Sequence, residues 1–289
     1  MQNSMLKLEM LKEGRSIRLP ILLIFYNSIL AFVTILFVFF HNESKQIGFL
    51  SGRSSFLAQF LILTSLQILA VFVLIPFSVS AMEDSDRAVA GQFMVIPDVI
   101  RYHIIARIST LVCTNLLILL SSLPIIALSC IYSGIKLLGI VRLLWTVAVF
   151  SFWGGSIALF FFSMNKRSVV AFAETIFTYF MMSVGILLFL EVVRNASLSM
   201  SRTGEISSAV TTLCLAANLF NPMTVFVGYY ENFSGNVPAV TSYFGNFGID
   251  VTTTTFSYFY FKAATLICIL VGIGFLWLAV RFYSSDRQK

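Results

Sequence analysis

The sequence predicts an all-α integral membrane protein: six transmembrane helices, an N-terminal interfacial amphipathic helix, and an outer re-entrant or interfacial hairpin before the last span. Three observations carry this expectation. Of 289 residues only 11% are charged and 58% are hydrophobic, whereas soluble domains carry roughly 25% charged residues. Six runs are uncharged, or nearly so, over the ~20 residues that a helix needs to cross ~30 Å of hydrocarbon. Lysine and arginine concentrate between alternate runs, as the positive-inside tendency requires.

Residues 1–19 place Leu6, Met10 and Ile17 near one helical face, with Lys7, Glu9, Lys12, Glu13 and Arg15 over most of the rest. That pattern suits a helix lying in the membrane interface and feeding a span. It also lacks the small-residue cleavage pattern of a secretory signal. The first span covers about 20–40, with Pro20 in its first turn, where a missing N–H costs little. The second covers about 56–80, and Pro76 is expected to bend or stop it. A polar stretch, 81–105, follows. The third span, about 106–132, exceeds the bilayer thickness, and a kink at Ser121-Ser122-Leu123-Pro124 or a tilt would absorb the surplus. The fourth and fifth spans cover about 142–164 and 168–190, and the last about 258–280.

Between the fifth and last spans lies a segment, 191–257, that is mostly polar but encloses an uncharged run, 206–230. With six crossings and both termini cytoplasmic, Lys7, Lys12, Arg15, Arg18, Arg87, Arg101, Arg107, Lys166, Arg167, Arg281, Arg287 and Lys289 fall inside. Only Lys45, Arg53, Lys136, Arg142, Arg194, Arg202 and Lys262 fall outside. A seventh crossing would move the basic C-terminus outward. Asn218 and Asn221-Pro222 also interrupt the run at its middle. The run is therefore expected to enter and leave on the outer side, packed against the bundle because non-helical backbone at that depth needs protein or water around it.

Chemistry-bearing motifs are few. The net charge is +6, but no dense basic run exists, so nucleic acid is not an expected partner; the lipid bilayer is. Cys113, Cys130, Cys214 and Cys268 lie in apolar runs without CxxC spacing, as buried thiols do. His41 and His103 form no ligand pair. Neither GxxxxGK[ST], HExxH nor GxSxG occurs, so no catalytic or cofactor site and no metal site is expected on this chain. There is no internal repeat of the kind that marks many secondary transporters.

Two groups of residues stand out. The stretch after the second span carries Glu83, Asp84, Asp86 and Arg87, then Gly91, an apolar Phe93-Met94, Pro97 and the basic Arg101 and Arg107. Its plainer alternative is a solvated connector with a helix N-cap at Ser85 or Asp86. Within the spans, Glu174 lies seven residues after Arg167 and thus on the same helical face. An intramembrane carboxylate faces a cavity or a partner. Two roles are open: a pathway residue on the cytoplasmic side, or a structural pair with Arg107 or Arg167. Asn115 in the third span is a candidate for a bond between helices or for core packing. The patch Ser151, Gly154, Gly155 and Ser156 permits close helix approach, within the chain or across a dimer seam.

The order of these features resembles the permease subunits of type-2 ABC exporters. The amphipathic start carries Glu9, Lys12 and Arg15, and the second span ends in an acidic turn. In that family the following loop reads acid–base pair, glycine, apolar pair, proline and a basic residue opening the third span. Here Glu83 and Arg87, Gly91, Phe93–Val95, Pro97, and Arg101 or Arg107 stand in those places. Leu123-Pro124 and Asn221-Pro222 also fit. The sequence departs from the family where its acids are spread over Glu83, Asp84 and Asp86 and in its long segment before the last span.

The resemblance implies a multi-pass protein of the bacterial plasma membrane that works as a dimer with a second permease copy or paralogue. Each permease would be coupled to a separate ATP-binding-cassette subunit holding ATP and Mg. A coupling helix over about 87–95 would seat its acids and Phe93-Met94 in a cleft of that subunit. A membrane scaffold or sensor, and a secondary transporter or channel, are the rival expectations.

Overall fold

The computed structural model describes residues 17–43, 49–87, 97–133, 138–165, 167–200, 208–226 and 254–285, with a few single positions before them. At helix ends, including 37–43, 49–58, 81–87 and 97–100, only the backbone is described. The amphipathic segment 1–19 therefore lies largely outside the described residues, as do 201–207 and 227–253.

Every described segment is helical. The elements are α1 (Arg18–Glu43), α2 (Phe49–Arg87), α3 (Pro97–Ser133), α4 (Leu138–Met164), α5 (Ser168–Phe180), a π turn (Met181–Gly185), α6 (Ile186–Met200), α7 (Ser208–Leu219) and α8 (Thr254–Ser285). Among the described residues six stretches are long and apolar enough to cross a membrane: Leu19–Leu36, Gln59–Ser80, Arg101–Ile131, Leu138–Met164, Ser168–Ser199 and Tyr260–Tyr283. Their mean hydropathy lies between 1.8 and 2.5. The chain is an all-α, multi-pass membrane protein.

α4 is the axis of the bundle. Of its span, 67% is buried within the protein, against 11% for the first span and 17% for the fifth. It packs against α2, α3, α5 and α8. Its small residues make this possible. A Cβ on Gly154 would lie 2.9 Å from Tyr179 Oη and 3.1 Å from Ile75 Cδ1, and one on Gly155 would lie 2.5 Å from Ile108 Cδ1. The small-residue patch is thus filled by α2, α3 and α5 of the same chain. From α8, Gly272 answers with its own close approach: a Cβ there would lie 2.8 Å from Phe152 Cε1. Phe72, Phe150, Trp153 and Tyr179 fill the surrounding space with ring centroids 5.2 to 6.0 Å apart, within the favoured aromatic range.

α1 lies at the margin and is tied in by polar side chains. Tyr26 donates to Gln67 on α2, and Asn27 Nδ2 donates to Ser121 Oγ on α3 at 2.9 Å. Neither interior proline stops its helix: α2 runs through Pro76 to Arg87 and α3 through Pro124 to Ser133. Membrane helices tolerate such prolines because neighbouring helices and serine side chains re-satisfy the freed groups. Ser121 and Ser122 bond back to the carbonyls of Ile118 and Leu119, next to the Leu120 carbonyl that Pro124 leaves without its usual donor. The fifth span also runs further than expected, to Met200. Arg194 pairs with Glu191 one turn earlier on the same helix, so these charges remain on the helix instead of ending it.

Candidate functional site

Three regions carry the polar chemistry. The first is the end of α2. Glu83, Asp84, Asp86 and Arg87 belong to the helix itself, which continues about 10 Å past Ser80 at ~1.5 Å per residue. The chain re-enters helix at Pro97, the first residue of α3, where proline is well suited. Gly91, Phe93 and Met94 lie outside the described residues. α2 and α3 then pack side by side through the bundle. Arg101 is exposed. Arg107, two turns further on, is 1% exposed, so the two candidate basic positions differ sharply in environment. Asn115, at 4% exposure, sits between the buried Leu111 and Leu119 on α3.

The second region is the α4–α5 turn. Asn165 Nδ2 donates to Glu174 Oε2 at 2.6 Å and to the Phe161 carbonyl at 3.1 Å. Among the described residues this amide is the carboxylate's partner, and neither Arg107 nor Arg167 forms the expected ion pair with it. Arg167 shares its helical face but lies two turns away, about 10 Å. Asn165, at the end of α4, instead folds across the turn onto it. Sequence spacing along one helix could not reveal a partner that the hairpin supplies from the other.

The third region is the uncharged run before the last span, expected to form a re-entrant or interfacial hairpin, of which 208–226 is described. α7 spans 12 residues, about 18 Å, which is too short to cross. Its last turn closes with Phe220 N–H on the Ala217 carbonyl and Asn221 N–H on the Asn218 carbonyl. Asn221 then caps a second helical turn, 222–226. Its Oδ1 accepts from Met223 N–H at 2.9 Å, with Pro222 in the first helical position, an arrangement both residues favour. Asn221 Nδ2 reaches the Ser183 carbonyl at 3.0 Å. Thr224 Oγ1 donates to the Asn218 carbonyl at 2.6 Å, and Tyr260 on α8 donates to the Leu215 carbonyl at 2.8 Å. Ser183 lies at the midpoint of the apolar stretch Ser168–Ser199, so this turn meets the fifth span halfway along its length. Asn221 is 0% and Asn218 2% exposed, and the tip packs against the bundle as its backbone chemistry requires.

The π turn that receives Asn221 has no signature in the sequence beyond the small Ser183 and Gly185. Such turns occur frequently at functional sites. The Asn-Pro pair was legible as a break, whereas its docking partner 38 residues away was not.

The remaining described surface holds no converging chemistry. A cavity of about 340 Å³ lies between Met10, Leu19 and the Thr110, Thr114 and Leu117 side of α3, with apolar walls and no charged group to orient a ligand. Cys130, Cys214 and Cys268 are buried and outside any disulfide, and Cys113 is partly buried. Among the described residues no three His, Cys, Asp or Glu side chains gather as a metal site would require. No family model matches this chain, and no characterised protein matches it in sequence.

Proposed function

We propose that the chain is the membrane-spanning permease subunit of a type-2 ABC exporter, acting as a dimer coupled to separate ATPase subunits. The observation that carries the reading is the continuous helix from Gln59 through Ser80 to Arg87. It bears the acidic cluster beyond the membrane and packs along α3, which begins again at Pro97. A push on the short connection 88–96 would move two long rods together, and α4 is wedged against both.

In this reading Glu83, Asp84 and Asp86 face basic residues of the ATPase cleft, while Phe93 and Met94 fill an apolar pocket as interface anchors do. ATP and Mg belong to the partner subunit. Closure of two ATPases rocks the two permeases and alternates access across the bacterial plasma membrane, with N- and C-termini cytoplasmic. Glu174, held by Asn165 at the inner end of the bundle, acts as a fixed acceptor at that side.

The test is co-purification with the ATPase and measurement of its stimulated turnover. Glu83→Lys and Phe93→Asp should abolish stimulation while leaving the permease in the membrane. Normal turnover in both variants would refute the coupling role, and transport by the chain alone in proteoliposomes would identify a secondary transporter or channel.

A further inference from the structure

The fifth span is α-helical on both sides of the π turn Met181–Gly185, and the hairpin tip is seated on that turn. A π turn carries one residue more than an α turn and displaces a main-chain hydrogen bond. Here the Ser183 carbonyl accepts the amide of Asn221, while Ser183 Oγ turns back to the Tyr179 carbonyl. The amide is used at both ends, since its oxygen caps the 222–226 turn. Further along the same interface Leu190 on α6 is 0% exposed and packs with Cys214 on α7, which is 1% exposed.

From these contacts we propose that the π turn and the seated hairpin are two halves of one latch. While Asn221 holds the Ser183 carbonyl, the span keeps its extra residue; when the hairpin withdraws, the turn relaxes to α geometry. A carbonyl oxygen has two lone pairs, so the Ser183 oxygen can still accept from its own helix once Asn221 leaves, and the polar group that withdrawal must re-partner is the Asn221 amide. An α-helix advances ~100° and ~1.5 Å per residue, so losing the bulge turns α6 by one residue step. Phe189, now 59% exposed, takes the seat of Leu190. The latch thus converts withdrawal of the hairpin into rotation of the outer half of the fifth span. It stands independently of the exporter reading, because its test needs no ATPase.

The experiment uses the full-length protein in lipid nanodiscs with Cys113, Cys130 and Cys268 replaced by alanine, leaving Cys214 as the sole thiol. Its reaction with N-ethylmaleimide is followed by mass spectrometry. Asn221→Leu should raise the rate by roughly 3- to 20-fold, the range expected for one hydrogen bond between membrane helices. Deleting Val184, which removes the extra residue, should expose Cys214 likewise. In a cysteine-free background, a nitroxide at Phe189→Cys should lose collisions with lipid-dissolved oxygen on Asn221→Leu. The Val184 deletion should not change it, because the flanking helix keeps its register. Cys214 protected in both variants would overturn the latch. So would exposure of Cys214 by Asn221→Leu with the nitroxide unchanged, since the hairpin would then leave without rotation. Loss of helical circular dichroism in both variants would also count against it, because a releasable contact leaves both states folded.

Discussion

Gly154 and Tyr179 provide a quantitative test of how the bundle is held around α4. Tyr179 Oη donates to the Gly154 carbonyl at 2.5 Å, and the same oxygen is the nearest atom to the Cβ that alanine would add at Gly154. The ring cannot swing away easily, because it is packed against Phe72 and Trp153. Gly154→Ala therefore overfills the contact, at about 1–3 kcal/mol, against about 1 kcal/mol gained from helix propensity. The expected net loss is about 0–2 kcal/mol. Tyr179→Phe removes one hydrogen bond, at about 1 kcal/mol, but also removes the atom that collides. The double variant should thus be less damaged than the sum of the singles, with a coupling of about 1 kcal/mol or more. Detergent thermal unfolding or SDS titration of purified protein measures all four corners of the cycle. Additivity within about 0.3–0.5 kcal/mol, the range found for independent sites, would show that the collision does not exist.

Other outcomes follow from the same packing. Gly272→Leu should destabilise the bundle by about 2 kcal/mol or more, because the added atoms meet the Phe152 ring and, at 3.5 Å, the backbone Cα of Trp153; thermal unfolding checks this. Gly155→Ala should be milder, since the atom it meets is the movable tip of Ile108, and a loss as large as that of Gly272→Leu would contradict the difference. Glu174→Gln preserves an oxygen that can accept from Asn165, so it should leave stability within about 0.5 kcal/mol. Asn165→Leu leaves a carboxylate without its donor and should cost about 1–3 kcal/mol. If Glu174→Gln unfolded the protein as readily as Asn165→Leu, charge rather than the hydrogen bond would be holding the turn.

The long spans were legible because a membrane helix needs little beyond length and the absence of charge. The apolar runs around α1, α4 and α8 announce themselves in this way. Their ends were less legible, because charge alone does not terminate a helix. Glu83 to Arg87 read as a loop yet remain helical, and Glu191 with Arg194 form an i,i+3 pair that keeps α6 helical. The partner of Glu174 was hidden for a different reason: Asn165 reaches it across a turn, through geometry that spacing on one helix does not encode. Asn221-Pro222 announced a break and a cap, but its bond to the π turn depends on the depth at which two distant segments meet.

In the proposed exporter the coupling contact is made by the helical end of α2, which carries Glu83, Asp84 and Asp86 past the apolar stretch Gln59–Ser80. ATP turnover by the co-purified ATPase in nanodiscs, with the wild-type chain and with Glu83→Lys, tests it directly. Loss of stimulation by at least tenfold, with the variant chain still folded and inserted, is the predicted result. An ATPase that binds and is stimulated equally by both chains would contradict it.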